Sequence, residues 1–131
     1  VSAQIEIGGL ASAVGRELEM YSSRVKTGVD QAVEYVGGEL KNNIKRDARA
    51  AGIGGKKYIR AMDLKKTSST LYGKSVTWYV KAPHYRLAHL LERGHMTVNG
   101  KKTRAFPHIQ KNEEQAKKEF EDLVEGVIRK G

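Results

Sequence analysis

The side chains of this chain that could do chemistry gather in one stretch, residues 84–109. His89, Glu92 and His95 recur at intervals of three, with His84 before them and His108 after. On a helix, positions i and i+3 share a face, so His89 and Glu92 could both touch one metal ion. His95 lies beyond Gly94, where a helix starting at Tyr85 should end, and the spacing matches neither H-E-x-x-H nor another zinc signature. The structural alternative has Glu92 accepting hydrogen bonds from backbone or from a ring nitrogen, which would tie the short helix to the segment around Pro107 and His108. Spacing favours that reading over a metal or acid–base site. Between Arg49 and Lys111 the only acidic residues are Asp63 and Glu92, so a hydrolase built there would lack its paired carboxylates. The stretch 50–57, AAGIGGKK, invites a phosphate-loop reading, but Lys57 follows Lys56 where Ser or Thr is needed, and the stretch follows a helix, not a strand. It reads instead as a flexible basic loop.

The elements that must hold these residues follow from the apolar pattern. Tyr85–Arg93 forms a helix of about two and a half turns with Leu87, Leu90 and Leu91 on one side, and Gly94 stands where a left-handed C-cap residue would sit. Val98-Asn99-Gly100-Lys101 predicts a type I′ hairpin turn flanked by two short strands, and Phe106-Pro107 stops the pairing. Asn112 opens a last helix by capping the amide of Gln115, with Glu113 and Glu114 complementing the dipole and Ala116, Phe120, Leu123, Val124, Val127 and Ile128 on its apolar face. Upstream, apolar residues three or four apart from Leu10 to Ile44 predict one helix from about residue 11 to about residue 48, roughly 57 Å long, whose stripe needs cover along its whole extent. Gly28 and Gly37-Gly38 mark a bend or a close approach; a break near Gly37 is the second choice. Gln4–Ile7 alternates like an edge strand. Tyr58–Met62 reads as a helical turn, and Leu64–Thr67 and Leu71–Ala82 as extended, joined by a turn at Ser68-Ser69-Thr70. In the second run Val76, Trp78 and Val80 face a core and the other face is half-wet. The fold class expected is α+β: a long N-terminal helix and a C-terminal helix packed on a small antiparallel sheet, in a single domain spanning 1–131.

Composition narrows the function classes. With no cysteine and only two prolines in 131 residues, neither a disulfide scaffold nor a thiolate metal site is available. No run of 18 apolar residues and no charged-then-apolar leader is present, so neither a membrane span nor a signal peptide is expected. The net charge of +9 is unevenly placed: −2 over residues 1–36, +8 over 37–81, +5 over 82–111 and −2 over 112–131. A basic middle between acidic ends suits either a nucleic-acid face or head-to-tail contact between subunits. Tyrosines interleaved with basic residues, such as Tyr58 and Arg60 or Tyr79 and Lys81, fit a stacking surface, though a strand places the same types at a half-buried face.

A resemblance adds to this. Tyr85, Leu87, Ala88, His89, Leu90, Leu91, Glu92, Gly94 and His95, then Asn99-Gly100, then Pro107-His108-Ile109 and Glu113-Glu114, together with the opening Gln4-Ile5-Glu6-Ile7-Gly8-Gly9-Leu10, resemble the head-tail joining (neck, tail-completion or minor capsid) proteins of long-tailed phages. The chain departs from that pattern at Arg93, where the family often has an apolar residue, and at Gly100–Arg104, where it often has a longer hairpin. The resemblance implies a structural virion subunit with no catalysis and no cofactor. It would form a homo-oligomeric ring at the head-tail interface, assembled in the bacterial host cytoplasm, with other connector and tail proteins as neighbours. It makes His89, Glu92, Gly94, His95, Pro107 and His108 a structural motif. Lys56, Lys57, Lys65, Lys66, Lys101, Lys102 and Arg104 would meet passing DNA transiently and without sequence preference, or an acidic neighbour. Two rival classes stand beside it: a sequence-independent DNA-binding protein and a metal-dependent enzyme.

Overall fold

The computed structural model describes residues 4–10, 23–70 and 73–130. Its elements are β1 (Gln4–Ile7), α1 (Ser23–Ala51), α2 (Gly55–Ala61), β2 (Met62–Thr70), β3 (Gly73–Val80), α3 (Tyr85–Arg93) and α4 (Gln110–Lys130). The chain is α+β, as the alternation of helical and strand periods requires. No described helix is long and apolar enough to cross a membrane.

The sheet is antiparallel throughout, in the order β1-β3-β2. Trp78, in the middle of β3, pairs with Ile5 on one side and Leu64 on the other. Being central, β3 is covered more completely than its alternation predicts. Ser75 and Thr77, on the face expected to be half-wet, are 2% and 5% exposed. Their hydroxyls are satisfied across the sheet, Ser75 by Ser68 at 2.9 Å and Thr77 by Thr67. Such pairing removes the penalty of burying them. The expected turn at Ser68-Ser69-Thr70 is instead the end of β2, which pairs with Ser75, Lys74 and Gly73 after an irregularity between Lys66 and Ser68. The residues that join β2 to β3 lie outside the described residues.

α1 lies across this sheet and alongside α4. Its stripe of Val29, Ala32, Val33, Val36, Leu40, Ile44 and Ala48 is buried. Over that length the chain covers its own stripe, so an uncovered long helix is no argument for self-association there; the predicted portion from residue 11 to 22 lies outside the described residues. The helix runs unbroken through Gly37-Gly38. The glycines serve packing: a Cβ on Gly28 would stand 2.6 Å from Val127 of α4, and one on Gly37 would stand 2.6 Å from Val76 of β3. Gly28 near the start of α1 meets Val127 near the end of α4, while Asp47 near the end of α1 meets Asn112 near the start of α4, so the two helices are antiparallel.

The segment expected to be a flexible basic loop, 50–57, is mostly helical. α1 ends with Gly52 N–H donating to Arg49 O and Ile53 N–H to Ala48 O, both at 3.1 Å, and α2 follows after Gly54. Burial of Ile53, Tyr58 and Ala61 supplies what a glycine count misses. These anchors, with Trp78, Leu40, Ile44, Met62 and Ile109, belong to a single core, each large side chain contributing about 1.5–3 kcal/mol through burial.

Candidate functional site

α3 and the segment returning from it build a buried polar knot around one carboxylate. α3 presents Leu87 and Leu91 to the core and buries Ala88 and Glu92, whereas Leu90, expected on the same side, is 43% exposed. After Arg93 the chain turns at Gly94, whose φ of 74° and ψ of 168° fall in a region open essentially to glycine alone. This is not the left-handed helical cap expected. A Cβ there would run into the carbonyl oxygen of Thr103. The excursion from residue 95 to 105 closes when Phe106 N–H donates to Leu91 O at 2.8 Å, back on α3.

Pro107 has no N–H, and the next three residues do. His108 and Ile109 N–H donate to Glu92 Oε1 at 2.7 and 2.9 Å, and Gln110 N–H donates to Oε2 at 3.0 Å. Glu113 N–H donates to Ile109 O at 2.9 Å, so Ile109 is the residue from which α4 starts. Glu92, from another helix, therefore caps α4. A negative charge at a helix N-terminus meets both its orphan donors and its dipole. Asn112 does not cap Gln115 as expected; it is already inside the helix, and its side-chain amide donates to His108 O and to Asp47 Oδ2, both at 2.8 Å.

The ring of His108 completes the knot. Its Nδ1 lies 3.0 Å from Glu92 Oε1 and 2.8 Å from Phe106 O, two acceptors, so that nitrogen carries the proton. Its Nε2 then accepts from the Tyr58 hydroxyl at 2.7 Å, with the two rings edge to face at 5.9 Å. Burial pushes the Glu92 carboxyl up, but the His108 ring and the backbone N–H groups of Gln110, His108 and Ile109 outweigh it and hold the pKa at about 2. Burial, and then the charge on Glu92, push the Tyr58 hydroxyl up. Asp47 is likewise held below the carboxylate range: burial raises it, and the Asn112 amide, Lys111 and Arg46 more than offset that.

Tyr58, His108 and Glu92 line up like an acid–base relay. Tyr58 is 0% exposed, however, and the His108 and Glu92 side chains are 2% and 3% exposed, so no substrate reaches the chain of bonds. Its work is to join α2, α3 and α4, with Asp47 adding α1.

The remaining candidates stand apart. His89 is exposed on α3, and His84 precedes it. His95 is exposed on the excursion, where its N–H donates to Thr103 Oγ1 at 2.8 Å and its Nδ1 lies 3.2 Å from the same hydroxyl. Among the described residues no group of three His, Cys, Asp or Glu side chains is placed to hold a metal ion. The excursion is not a two-strand hairpin but a single bridge between Met96 and Lys102. Gly100 N–H donates to Thr97 O at 3.0 Å, which makes Val98-Asn99 the turn centre and Gly100, at φ 78°, the positive-φ residue after it. That is a three-residue loop, not the type I′ turn predicted. Lys101, Lys102 and Arg104 are exposed there, Arg104 lying 5.4 Å from the Phe106 ring. Lys56 and Lys57 are exposed on α2, Lys65 and Lys66 on β2, with Lys65 4.8 Å from the Tyr79 ring. The seven are spread over α2, β2 and the excursion. At the far end of the α1–α4 pair a cleft of about 490 Å³ is lined by Arg24, Thr27, Gly28, Gln31, Val127 and Lys130; none of these described residues is a carboxylate or imidazole.

Sequence reasoning missed Tyr58 and Asp47. Both act on partners 50 or more residues away, and no local spacing announces such a bond. No family model, curated protein or solved structure matches the chain.

Proposed function

We propose that the protein is a structural subunit of a phage head-tail connector, neck or tail-completion ring, joining the capsid portal to the tail and lining the DNA path. The motif spacing around Tyr85–His95 and Pro107–Ile109 suggests it. The observation that carries it in the geometry is how that stretch divides its side chains. Its polar residues Glu92 and His108 are turned inward and spent on folding, while its apolar Tyr85, Leu90, Met96 and Val98 are 40%, 43%, 63% and 106% exposed. Large apolar side chains left at the surface of a small domain, close together in sequence, favour an interface with another subunit over a free surface. Among the described residues the relay-like set, Tyr58, His108 and Glu92, is sealed in the core and offers a catalytic reading no support.

The test is to mix the purified protein with its connector and tail neighbours and to image assembled particles. The reading expects density for this chain at the neck and self-association that Leu90→Lys with Val98→Lys weakens. A protein that stays monomeric at high concentration and is missing from assembled particles would rule it out. The second reading, a sequence-independent DNA-binding protein, draws on the basic middle of the chain; it expects duplex binding with no particle association.

A further inference from the structure

Along the C-terminal half of α1, Lys41, Lys45 and Arg49 stand four residues apart, so they form one row beside the buried positions Leu40, Ile44 and Ala48. The sheet adds a fourth cation. Lys81, just beyond β3, reaches Asp63 Oδ2 at 3.3 Å, and Lys41 reaches Oδ1 of the same carboxylate at 3.4 Å. Asp63 is thereby fixed between helix and sheet. The Leu64 N–H holds its carboxyl low and burial opposes this, with Lys81 and Lys41 lowering it further. Neither Lys45 nor Arg49 pairs with a carboxylate among the described residues. The Lys45 ammonium is pushed down by burial first and then by Lys41 and Arg49, with Asp63 pulling the other way and Lys81 adding to the repulsion. Lys41 and Lys81 thus share one anion, Lys45 feels its charge, and Arg49 continues the row beyond it.

The surroundings indicate the partner. Among the described residues no large apolar side chain is exposed between Lys41 and Arg49; the exposed ones are Tyr35 ahead of the row, Tyr85, four residues after Lys81, and Leu90 on α3, Met96 and Val98 on the excursion, Leu123 and Ile128 on α4, and Leu10 near β1. Protein interfaces are depleted of lysine and anchored by aromatic and apolar groups, and lipid surfaces are gripped through apolar insertion. A cation row on α1 with no exposed large apolar side chain between Lys41 and Arg49 suits phosphates. Lys41 to Arg49 spans about 12 Å along the helix axis, over which one strand of a duplex carries about three or four phosphates. Lysines meet phosphates as point charges, and contacts to phosphate carry no sequence information.

We infer that Lys41, Lys45, Arg49 and Lys81 form a sequence-independent docking surface for the phosphate backbone of duplex nucleic acid. This names which face of the subunit meets DNA; it rests on the connector reading for its place along a DNA path, but not for the binding itself. It also shifts the contact from the lysines of the excursion to α1.

The experiment titrates a short random-sequence duplex with the full chain by fluorescence anisotropy over a series of salt concentrations. Wild type binds weakly and its affinity falls as salt rises. Lys45→Gln with Arg49→Gln flattens the slope of log K against log salt by about 1.8, at about 0.9 for each phosphate no longer neutralised, with an unchanged melting curve. Lys101→Gln with Lys102→Gln leaves the slope as in wild type. If the first pair melts early, Lys81→Gln alone is read instead and flattens the slope by about 0.9. The inference is overturned by no duplex binding at low salt, by a slope that ignores the α1 and Lys81 variants, by a flattened slope in the Lys101/Lys102 pair instead, or by tighter binding to anionic vesicles than to duplex. Sedimentation of the same variants keeps the two readings apart. Failure to self-associate with duplex binding intact fails the ring alone, and the reverse fails this surface alone.

Discussion

Two regions of the same short stretch behave in opposite ways. Glu92, Phe106, His108 and Ile109 are drawn into the core and joined by backbone and ring hydrogen bonds. The excursion from His95 to Arg104 projects from the same base on a single bridge, with Val98 and its lysines in solvent. Residue type does not sort them. His108 is buried and His95 is not; Glu92 has four donors around its carboxylate, while its helix neighbour His89 lies exposed. What sorts them is whether an obligatory backbone donor needs an acceptor: the start of α4 does, and only a carboxylate arriving from α3 supplies it.

The strongest way to break the comparison is Glu92→Ala. It strands the N–H groups of His108, Ile109 and Gln110 in a buried place and takes from the His108 ring one of the two acceptors at its Nδ1. Removing one member of a buried charged network costs about 3–5 kcal/mol, a large part of the roughly 5–15 kcal/mol that holds a domain together. Urea titration should show the midpoint collapse; a loss below about 1 kcal/mol would mean the cap is dispensable.

Acid tests the same carboxylate without mutation. Its folded pKa of about 2 lies below the ordinary value of 4.5. Between those values the unfolded carboxyl takes up a proton and the folded one does not, so falling pH favours the unfolded chain. The contribution is complete above about pH 5 and is lost as the pH drops through about 2, amounting to about 3 kcal/mol. Asp47 and Asp63, also held low, add to the same acid limb. The difference between wild type and Glu92→Gln isolates Glu92: the variant should start less stable and lose less between pH 5 and pH 2. Parallel acid curves would assign the limb to the other carboxylates.

How much of this was legible follows from the range of each interaction. The bounds of α3, the buried faces of α1 and the strand around Trp78 came from local periodicity, which survives into the fold because each element buries one stripe. The tie between Glu92 and the Pro107–His108 segment was legible as an option, since an acid on an apolar helix face needs donors and only one nearby segment offered them. Local capping rules see only residues next in sequence and so point to Asn112, whereas the cap of α4 arrives from α3 as Glu92. Glycines dominate the stretch that holds Lys56 and Lys57 and read as a loop, while its anchor, Tyr58, bonds to His108, 50 residues on. The half-wet face of β3 holds at Tyr79 and Lys81 and fails at Thr77, whose burial rests on a cross-strand partner, Thr67, that the strand's own sequence does not state.

Tyr58→Phe sharpens the comparison at intermediate size. It keeps the ring and its packing but removes the donor to His108 Nε2, leaving a buried acceptor without its partner. About 1–2 kcal/mol should be lost, read as a lower melting temperature with an unchanged acid limb, because Glu92 keeps its own donors. No loss of stability would mean that another group takes over the His108 nitrogen.

The smallest expected effect is on the exposed side, from His89→Ala combined with His95→Ala. These two are the conceivable partners of Glu92 in a metal or acid–base site, the reading that spacing disfavours, and the fold separates them from it. His89 faces solvent from α3, and the bonds of His95 run to Thr103 within the exposed excursion. Surface substitutions of this kind change stability by less than about 0.5 kcal/mol. The double variant should therefore melt with wild type, in sharp contrast to Glu92→Ala a few residues away, and a strong chelator should move neither curve. Because the imidazoles remain free to contact a neighbouring subunit, the same variant should be compared with wild type for self-association. Weakened association with unchanged melting would place the histidines at the interface and widen the contrast between the two regions. A melting temperature that falls with the variant, or falls in wild type on adding chelator, would join His89 and His95 to the buried side and end it.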